Sequence, residues 1–225
     1  MIRFSILVLS CFAFLEAFAQ SDTTYTALPD SSHLLKQVYQ LDLSRQQRTE
    51  LPAELFQCTN LRVLNLNSNL LTALPAELFQ LSRLQKLYLD DNRLEGLPKE
   101  FKNLSQLQEL SLVGALWTNN ATAALNMLLR NSELETLYLD FNALTNLPSG
   151  FKNLKKLQLL SLHHNQLTEL PSSFAKLPEL RTIDLSHNPG LDLDQIGSVL
   201  SQIKTLNRLN LHHNELSSLT NALLD

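Results

Sequence analysis

Leucines recur along this chain with a period of 23 residues. The segment that begins at Leu84 has leucine at 84, 87, 89, 94, 97 and 104, and the segment that begins at Leu61 repeats this spacing. A unit of this length is too small to bury its own apolar side, so it has to stack on copies of itself. The pattern therefore predicts a solenoid built from stacked repeats.

Eight such units align when Leu84 is taken as position 1 of its unit, and residues 38–225 are predicted to form these eight repeats. The repeats start at Val38, Leu61, Leu84, Leu107, Leu134, Leu157, Leu180 and Leu206. Residues 20–37 are predicted to be a polar tail followed by a degenerate half-repeat that caps the open end of the stack. His33 lies in this segment and is interpreted as an ordinary surface residue.

Positions 4 and 6 are apolar in every unit, which predicts a short strand with both apolar side chains on one face. Each connection returns to start the next strand in the same direction, so the strands are expected to be parallel. Position 9 is asparagine in six of the eight units, with Gln46 and Ala115 as the exceptions. An amide at this position can bond to backbone groups where the strand ends, and stacked amides predict a hydrogen-bonded ladder.

The second half of most units contains Leu-Pro, with an apolar residue three positions after the proline. Proline fixes φ and has no N–H, which favours an irregular or 3₁₀ return on the outer side. Two longer units instead predict helices, one through Ala121–Leu128 with Thr118, Asn119 or Asn120 as a cap, and one after Asn188 capped by Asp192 or Asp194. Cys58 takes the place of a core leucine and is interpreted as a buried structural thiol.

Residues 1–19 have the pattern of a secretory signal peptide. Arg3 precedes a short apolar run, and Ala17-Phe18-Ala19 offers a small-x-small cleavage site before Gln20. The apolar run is about ten residues, whereas a membrane span needs roughly 20. We therefore predict a secreted or periplasmic, cell-envelope protein with no membrane span in the mature chain. The alternative is a cytoplasmic protein in which the leader is not used.

The composition excludes several classes of function. The net charge is −4 and the basic residues form no stripe, so no nucleic-acid partner is predicted. A mature chain would keep only Cys58 and form no internal disulfide. The glycines form no phosphate-binding loop, and the serines near the histidines and Asp184 sit on flat ladder positions without oxyanion donors. We predict no enzymatic activity and no cofactor.

The repeats resemble the leucine-rich repeat proteins, in the form LxxLxLxxNxLxxLPxxFxxLxx, across roughly residues 28–224. The resemblance implies an α/β solenoid: a right-handed horseshoe with a parallel β-sheet on its concave face and 3₁₀ or short-helix returns on its convex face. Members of the family are mostly protein-recognition modules, and the concave sheet is their usual contact surface. The resemblance therefore implies a protein partner, with a surface glycan as a second possibility.

Positions 5, 7 and 8 are expected to face outward from the concave sheet. Exposed aromatic and charged side chains are typical of interface anchors. The predicted partner-binding residues are Tyr88, Asp90, Asp91, Val113, Tyr138, Asp140, Phe141, His163, His164, His187, His212 and His213.

Five of the six histidines lie in the C-terminal half of this face. His164, His187 and His213 share position 8 of three successive units and are the candidates if the face holds a metal, although we predict no dedicated metal site. An alternative function is thus a metal- or pH-sensing module that uses His163, His164, His187, His212 and His213. A further alternative is an intracellular signalling scaffold, and the sequence leaves the oligomeric state open.

Overall fold

The computed structural model describes residues 23–116 and 121–214. The predicted signal peptide, the three candidate caps at 118–120 and the end of the last predicted repeat lie outside the described residues. The described part of the chain forms one parallel sheet in which every strand pairs with the next one along the sequence. This architecture is the predicted α/β solenoid.

The sheet has nine strands among the described residues, one more than the repeats predict. They are β1 (Thr24–Tyr25), β2 (Gln40–Asp42), β3 (Val63–Asn65), β4 (Lys86–Tyr88), β5 (Glu109–Ser111), β6 (Thr136–Tyr138), β7 (Leu159–Ser161), β8 (Thr182–Asp184) and β9 (Arg208–Asn210). Equivalent positions of successive repeats pair directly, as Leu64 does with Leu87 and Leu87 with Leu110. The apolar side chains at positions 4 and 6 thus form continuous buried rows from β2 to β8, whereas Leu209 in β9 is 36% exposed.

The additional strand, β1, lies in the segment predicted to be a tail. Thr24 and Tyr25 pair with Gln40 and Leu41 and so extend the sheet by one strand. A short helix, α1 (Ser32–Leu35), follows and buries Leu35 against the first repeat. Thr24 and Tyr25 thus extend the sheet beyond the first predicted repeat, and a strand of two residues is too short to be revealed by alternation.

The five Leu-Pro units return through 3₁₀ helices, as the sequence predicts. These are Ala53–Gln57, Ala76–Gln80, Lys99–Asn103, Ser149–Asn153 and Ser172–Lys176. Each buries the residue three positions after its proline, and neighbouring returns stack on one another: the rings of Phe151 and Phe174 are 5.1 Å apart. Cys58 is fully buried in the same layer, and burial raises the pKa of its thiol to about 11.

The two longer units form the predicted helices, α2 (Ala121–Leu128) and α3 (Leu193–Leu200). Asp192 caps α3, since its carboxylate accepts hydrogen bonds from the backbone N–H groups of Asp194 and Gln195 at 3.0 and 3.1 Å. The side chains of Ile196, Val199 and Leu200 are buried, so α3 packs on the core with one face.

The asparagine ladder is present on the inner side of the coil. Asn165 is buried; its Nδ2 donates to the carbonyls of Leu139 and Leu162, and its Oδ1 accepts from the N–H of Leu144. At the unit that carries Ala115, the carbonyl of Ala115 accepts from the N–H of Leu94 at 2.8 Å in place of an amide.

The other exception, Gln46, is exposed at position 9 of the first unit. Its Nε2 donates to the carbonyl of Thr26 at 3.2 Å. The amide of Gln46 thus ties the first repeat to the capping segment.

Candidate functional site

The concave face of the sheet, which points away from the core, is built from alternate residues of each strand. Positions 4 and 6 point into the core, so positions 3, 5 and 7 share the opposite face, and position 8 follows at the strand's end. Position 3 was not among the predicted partner-binding positions, although the same alternation places it there. It contributes Lys86 and Glu109, which form an ion pair at 2.8 Å.

Two of the predicted partner-binding residues are tyrosines, and neither is a fully exposed interface anchor. Tyr88 and Tyr138 are both half-buried, and the hydroxyl of Tyr88 donates to the carboxylate of Glu109 at 2.9 Å. Burial first, and this hydrogen bond second, raise the pKa of Tyr88 far above its usual range. Tyr88 is therefore fixed by the ion pair of Lys86 and Glu109, whereas Tyr138 interacts with these two charges only electrostatically.

Two aspartates of position 7 organise the strand ends. Asp90 accepts hydrogen bonds from the hydroxyl of Ser111 and the N–H of Val113 on the next strand. Asp140 does the same two repeats further along, where it accepts from the hydroxyl of Ser161 and the N–H of His163. Burial raises the pKa of both carboxyl groups, an effect that these hydrogen bonds only partly offset.

An open depression lies at the N-terminal part of this face. Its lining is polar and carries three acidic groups and one guanidinium group. The charged and largest lining residues are Asp42, Arg45, Asn67, Asp90, Asp91 and Val113. This end of the concave face could accept basic groups, or groups that form hydrogen bonds, from another molecule.

Position 8 adopts a left-handed backbone conformation in every unit, with φ between 51° and 58°. The residues at this position are Arg45, Ser68, Asp91, Gly114, Phe141, His164, His187 and His213. Glycine, aspartate and histidine are tolerated in this region, whereas a bulky aromatic residue there is an outlier. Phe141 has φ of 57° and is nonetheless 54% exposed.

Four rings at position 8 form a stack, which we call the ring column: Phe141, His164, His187 and His213. Successive centroids are 4.5, 4.3 and 4.3 Å apart, and the ring planes are within 26° of parallel. The shared backbone conformation and the strand spacing of about 4.8 Å explain the stacking, because each ring leaves its strand in the same direction.

His163 lies beside the ring column, and hydrogen bonds through Ser186 and Asp184 fix its ring. Its Nδ1 is 2.7 Å from the hydroxyl of Ser186, and that hydroxyl donates to the carboxylate of Asp184 at 2.5 Å. The ring of His163 meets those of His164 and His187 edge-on, each at 4.8 Å.

The structure brings three of the five predicted histidines into one cluster. One ring nitrogen from each of His163, His164 and His187 lies within 4.8 Å of the others. We call these three residues the imidazole triplet. His212 and His213 are exposed beside it, with their rings 5.5 Å apart. Desolvation, followed by the neighbouring imidazoles, lowers the pKa of His187.

The serines near the histidines are oriented as structural donors. The hydroxyl of Ser161 donates to Asp140 at 2.6 Å, and the hydroxyl of Ser186 donates to Asp184. A nucleophilic serine instead gives its proton to a general base such as histidine. These two serines therefore position the aspartates on the same face.

Comparison with known proteins identifies similar repeats. The family model described as "Leucine rich repeat" matches residues 36–94, 59–115 and 132–189. Among solved structures, a leucine-rich repeat protein of Leptospira interrogans is 33% identical; the match covers 90% of this chain and 50% of that one, with a TM-score of 0.75. No curated protein matches the sequence significantly.

An internalin of Listeria monocytogenes, InlF, shares the fold. It is 22% identical, with a TM-score of 0.64 over 80% of this chain and 49% of that one. The present chain thus spans about half the length of each of these two proteins. Within residues 23–116 and 121–214, no helix combines the length and apolar character that crossing a membrane requires.

Proposed function

We infer the role of this chain from its family: it belongs to the leucine-rich repeat proteins, and we propose that it binds another protein through the concave face of its sheet. Proteins of this family generally act in protein–protein interaction, and their fold is generally a non-catalytic scaffold. We propose the same non-catalytic role here. The rigid parallel sheet would hold the contact residues in fixed positions.

The exposure and backbone conformation of Phe141 are the main support for this proposal. Its ring is more than half exposed, and its backbone has a conformation that disfavours bulky side chains. Other units fill the same position with arginine, serine, aspartate, glycine or histidine, so the fold does not require phenylalanine there. A residue that is unfavourable both for solvation and for backbone conformation is best explained by a contact with a partner.

Two carboxylates on the same face as Phe141 indicate the chemistry of that partner. Asp90 and Asp140 are carboxylates whose burial is only partly compensated. A lysine or arginine side chain would supply the missing counter-charge, and its guanidinium or ammonium group would also fit the faces of the exposed rings. We therefore propose a partner that presents basic side chains next to an apolar or planar group.

Capture with matched variants tests the proposal. The wild-type chain, the double variant Phe141→Asn/Tyr138→Ala and the convex-face control Lys152→Ala serve as baits for extracellular and envelope proteins. We expect a partner that wild type and control retain equally and that the double variant binds at least about 10-fold more weakly. Equal retention by all three baits, or retention of a glycan instead of a protein, contradicts the proposal.

We also propose that the chain is exported, because residues 1–19 have the pattern of a cleaved leader. N-terminal sequencing of the protein recovered from its producing cell should begin at Gln20. An Ala19→Phe variant should stay uncleaved, since the cleavage site requires a small residue. A mature protein that keeps residues 1–19 contradicts export through this leader and favours the cytoplasmic alternative.

A further inference from the structure

We propose that the imidazole triplet of His163, His164 and His187 binds a single divalent transition-metal ion, with Ser186 and Asp184 as its supporting shell. The proposal is independent of protein binding by the concave face. It rests on three ring nitrogens within 4.8 Å of one another and on the hydrogen bonds that link His163 to Ser186 and Ser186 to Asp184.

The hydrogen bonds fix which nitrogen of His163 is free. Ser186 has one hydroxyl proton, and it donates that proton to the carboxylate of Asp184 at 2.5 Å. The Oγ atom of Ser186 is then an acceptor toward Nδ1 of His163 at 2.7 Å, so Nδ1 carries the ring proton. In the neutral ring the lone pair is on Nε2, which is the form in which histidine binds a metal.

The hydrogen bonds that link Asp184, Ser186 and His163 resemble those that orient metal-binding histidines in other proteins. Ligating histidines usually donate their second ring N–H to a carboxylate, a carbonyl or water, and this contact orients the ring. Here Ser186 stands between the ring and the carboxylate, and Asn210 donates to the other oxygen of Asp184 at 2.8 Å. The carboxylate is therefore fixed on both oxygens and holds His163 indirectly.

The charges near the triplet favour a cation. Asp140 accepts the backbone N–H of His163, and both Asp140 and Asp184 interact electrostatically with its ring. Three neutral imidazoles provide nitrogen ligands of intermediate softness, which suit zinc, nickel or copper rather than magnesium or calcium. Three protein ligands leave one tetrahedral position for water or for a group on another molecule.

Binding requires a defined rearrangement. Two nitrogens at about 2.0–2.1 Å from a tetrahedral zinc ion are roughly 3.3 Å apart, so the ring nitrogens have to approach by up to roughly 1.5 Å. The rings of His164 and His187 are stacked within 12° of parallel, and their lone pairs therefore cannot converge on one ion without rotation. His164 is exposed, so rotation of its ring out of the column is unobstructed by the core.

Titration of the tag-free full chain with zinc chloride by calorimetry tests the site. We expect one ion per chain with a dissociation constant of about 1 µM or tighter. His163→Ala and His187→Ala should each weaken binding at least about 10-fold, and Ser186→Ala should weaken it roughly 10- to 100-fold as an outer-shell change. The matched controls, His212→Ala and His33→Ala, should bind like wild type.

Cobalt(II) provides a second readout, because the visible absorption of the bound ion reports its coordination geometry. The wild type should give a tetrahedral, nitrogen-ligated spectrum that His163→Ala loses while circular dichroism shows an unchanged fold. Zinc binding much weaker than about 1 µM would overturn the site. An unaffected His163→Ala variant together with a weakened His213→Ala variant would also overturn it, because the ligands would then belong to the ring column alone.

Discussion

The ring of Phe141 stacks on the ring of His164, with centroids 4.5 Å apart and planes 18° from parallel. Both residues occupy position 8 and both have a left-handed backbone, which histidine tolerates better than phenylalanine. Phe141 thus begins the ring column at the residue that fits the backbone least. Replacing Phe141 should therefore affect partner binding much more than the stability of the fold.

Phe141→Asn should leave stability nearly unchanged while it impairs binding. Relief of the left-handed conformation is worth about 1 kcal/mol, and loss of the ring stack costs about 0.5–1.5 kcal/mol. The free energy of unfolding in urea should therefore stay within about 1 kcal/mol of wild type, whereas affinity for a captured partner should fall at least about 10-fold. A variant that unfolds far more easily but binds normally would assign Phe141 a structural role.

Asn165→Ala should destabilise the fold strongly. The variant leaves the buried N–H groups of Asn142 and Leu144 without the side-chain oxygen that accepts from them. It also removes one of two amide donors from the carbonyls of Leu139 and Leu162, which keep Asn142 and Asn188. Each buried unsatisfied group costs about 1–3 kcal/mol, and the costs are not additive, so we expect a loss of about 3 kcal/mol in the free energy of unfolding. The matched control Asn153→Ala changes an exposed asparagine and should stay within about 0.5 kcal/mol. Equal effects of the two variants would show that the ladder does not stabilise the coil.

Asp90→Asn should change how stability depends on pH. Burial raises the pKa of Asp90 in the folded state above its ordinary value of 3.8, so the folded chain holds this proton more tightly than the unfolded chain. The stability that the group contributes is complete below about pH 3.8 and is lost as pH rises through the folded-state pKa. The amide cannot ionise, so the stability of Asp90→Asn relative to wild type should increase as pH rises across this range.

Urea unfolding of both proteins at a series of pH values measures this difference. Asp42→Asn is a suitable control, because Asp42 is also half-buried on the same face. A stability difference between Asp90→Asn and wild type that is constant or falls with rising pH would contradict the assignment.

The thiol of Cys58 should be unreactive in the folded protein. It is fully buried, and its pKa of about 11 keeps it protonated at neutral pH, whereas the thiolate is the reactive form. A thiol reagent such as DTNB should modify it only at the rate of unfolding, and rapidly once urea is added. The mature chain suits this measurement because Cys58 is then its only cysteine. Rapid labelling of the native protein would show that the site opens locally.

The repeat pattern predicts the core better than it predicts the surface. Leucine spacing is enough to predict the pairing of Leu64 with Leu87 and the burial of Phe151, because each repeat constrains its neighbours in the same way. The role of Asp192 as a cap also follows from local sequence. In contrast, β1 consists of only two residues outside the repeats, and so short a strand gives no periodic signal.

The geometry of the histidines depends on backbone detail that spacing does not contain. Shared position 8 predicts the stack of His164, His187 and His213. It does not predict that His163, from position 7, turns its ring edge toward His164 and His187. That orientation results from the hydrogen bond to Ser186, which is a contact between repeats. Alternation alone would have been enough to predict that position 3 also lies on the concave face.

A photo-crosslinking amino acid placed on each face of the solenoid would show which face contacts the protein partner. Tyr138 lies in β6 on the concave face, and Lys152 is exposed in the 3₁₀ helix Ser149–Asn153 on the convex face. With the crosslinker at 138, irradiation should join the chain covalently to its protein partner, and with the crosslinker at 152 it should not. A partner that crosslinks from position 152 and not from position 138 would contradict recognition by the concave sheet.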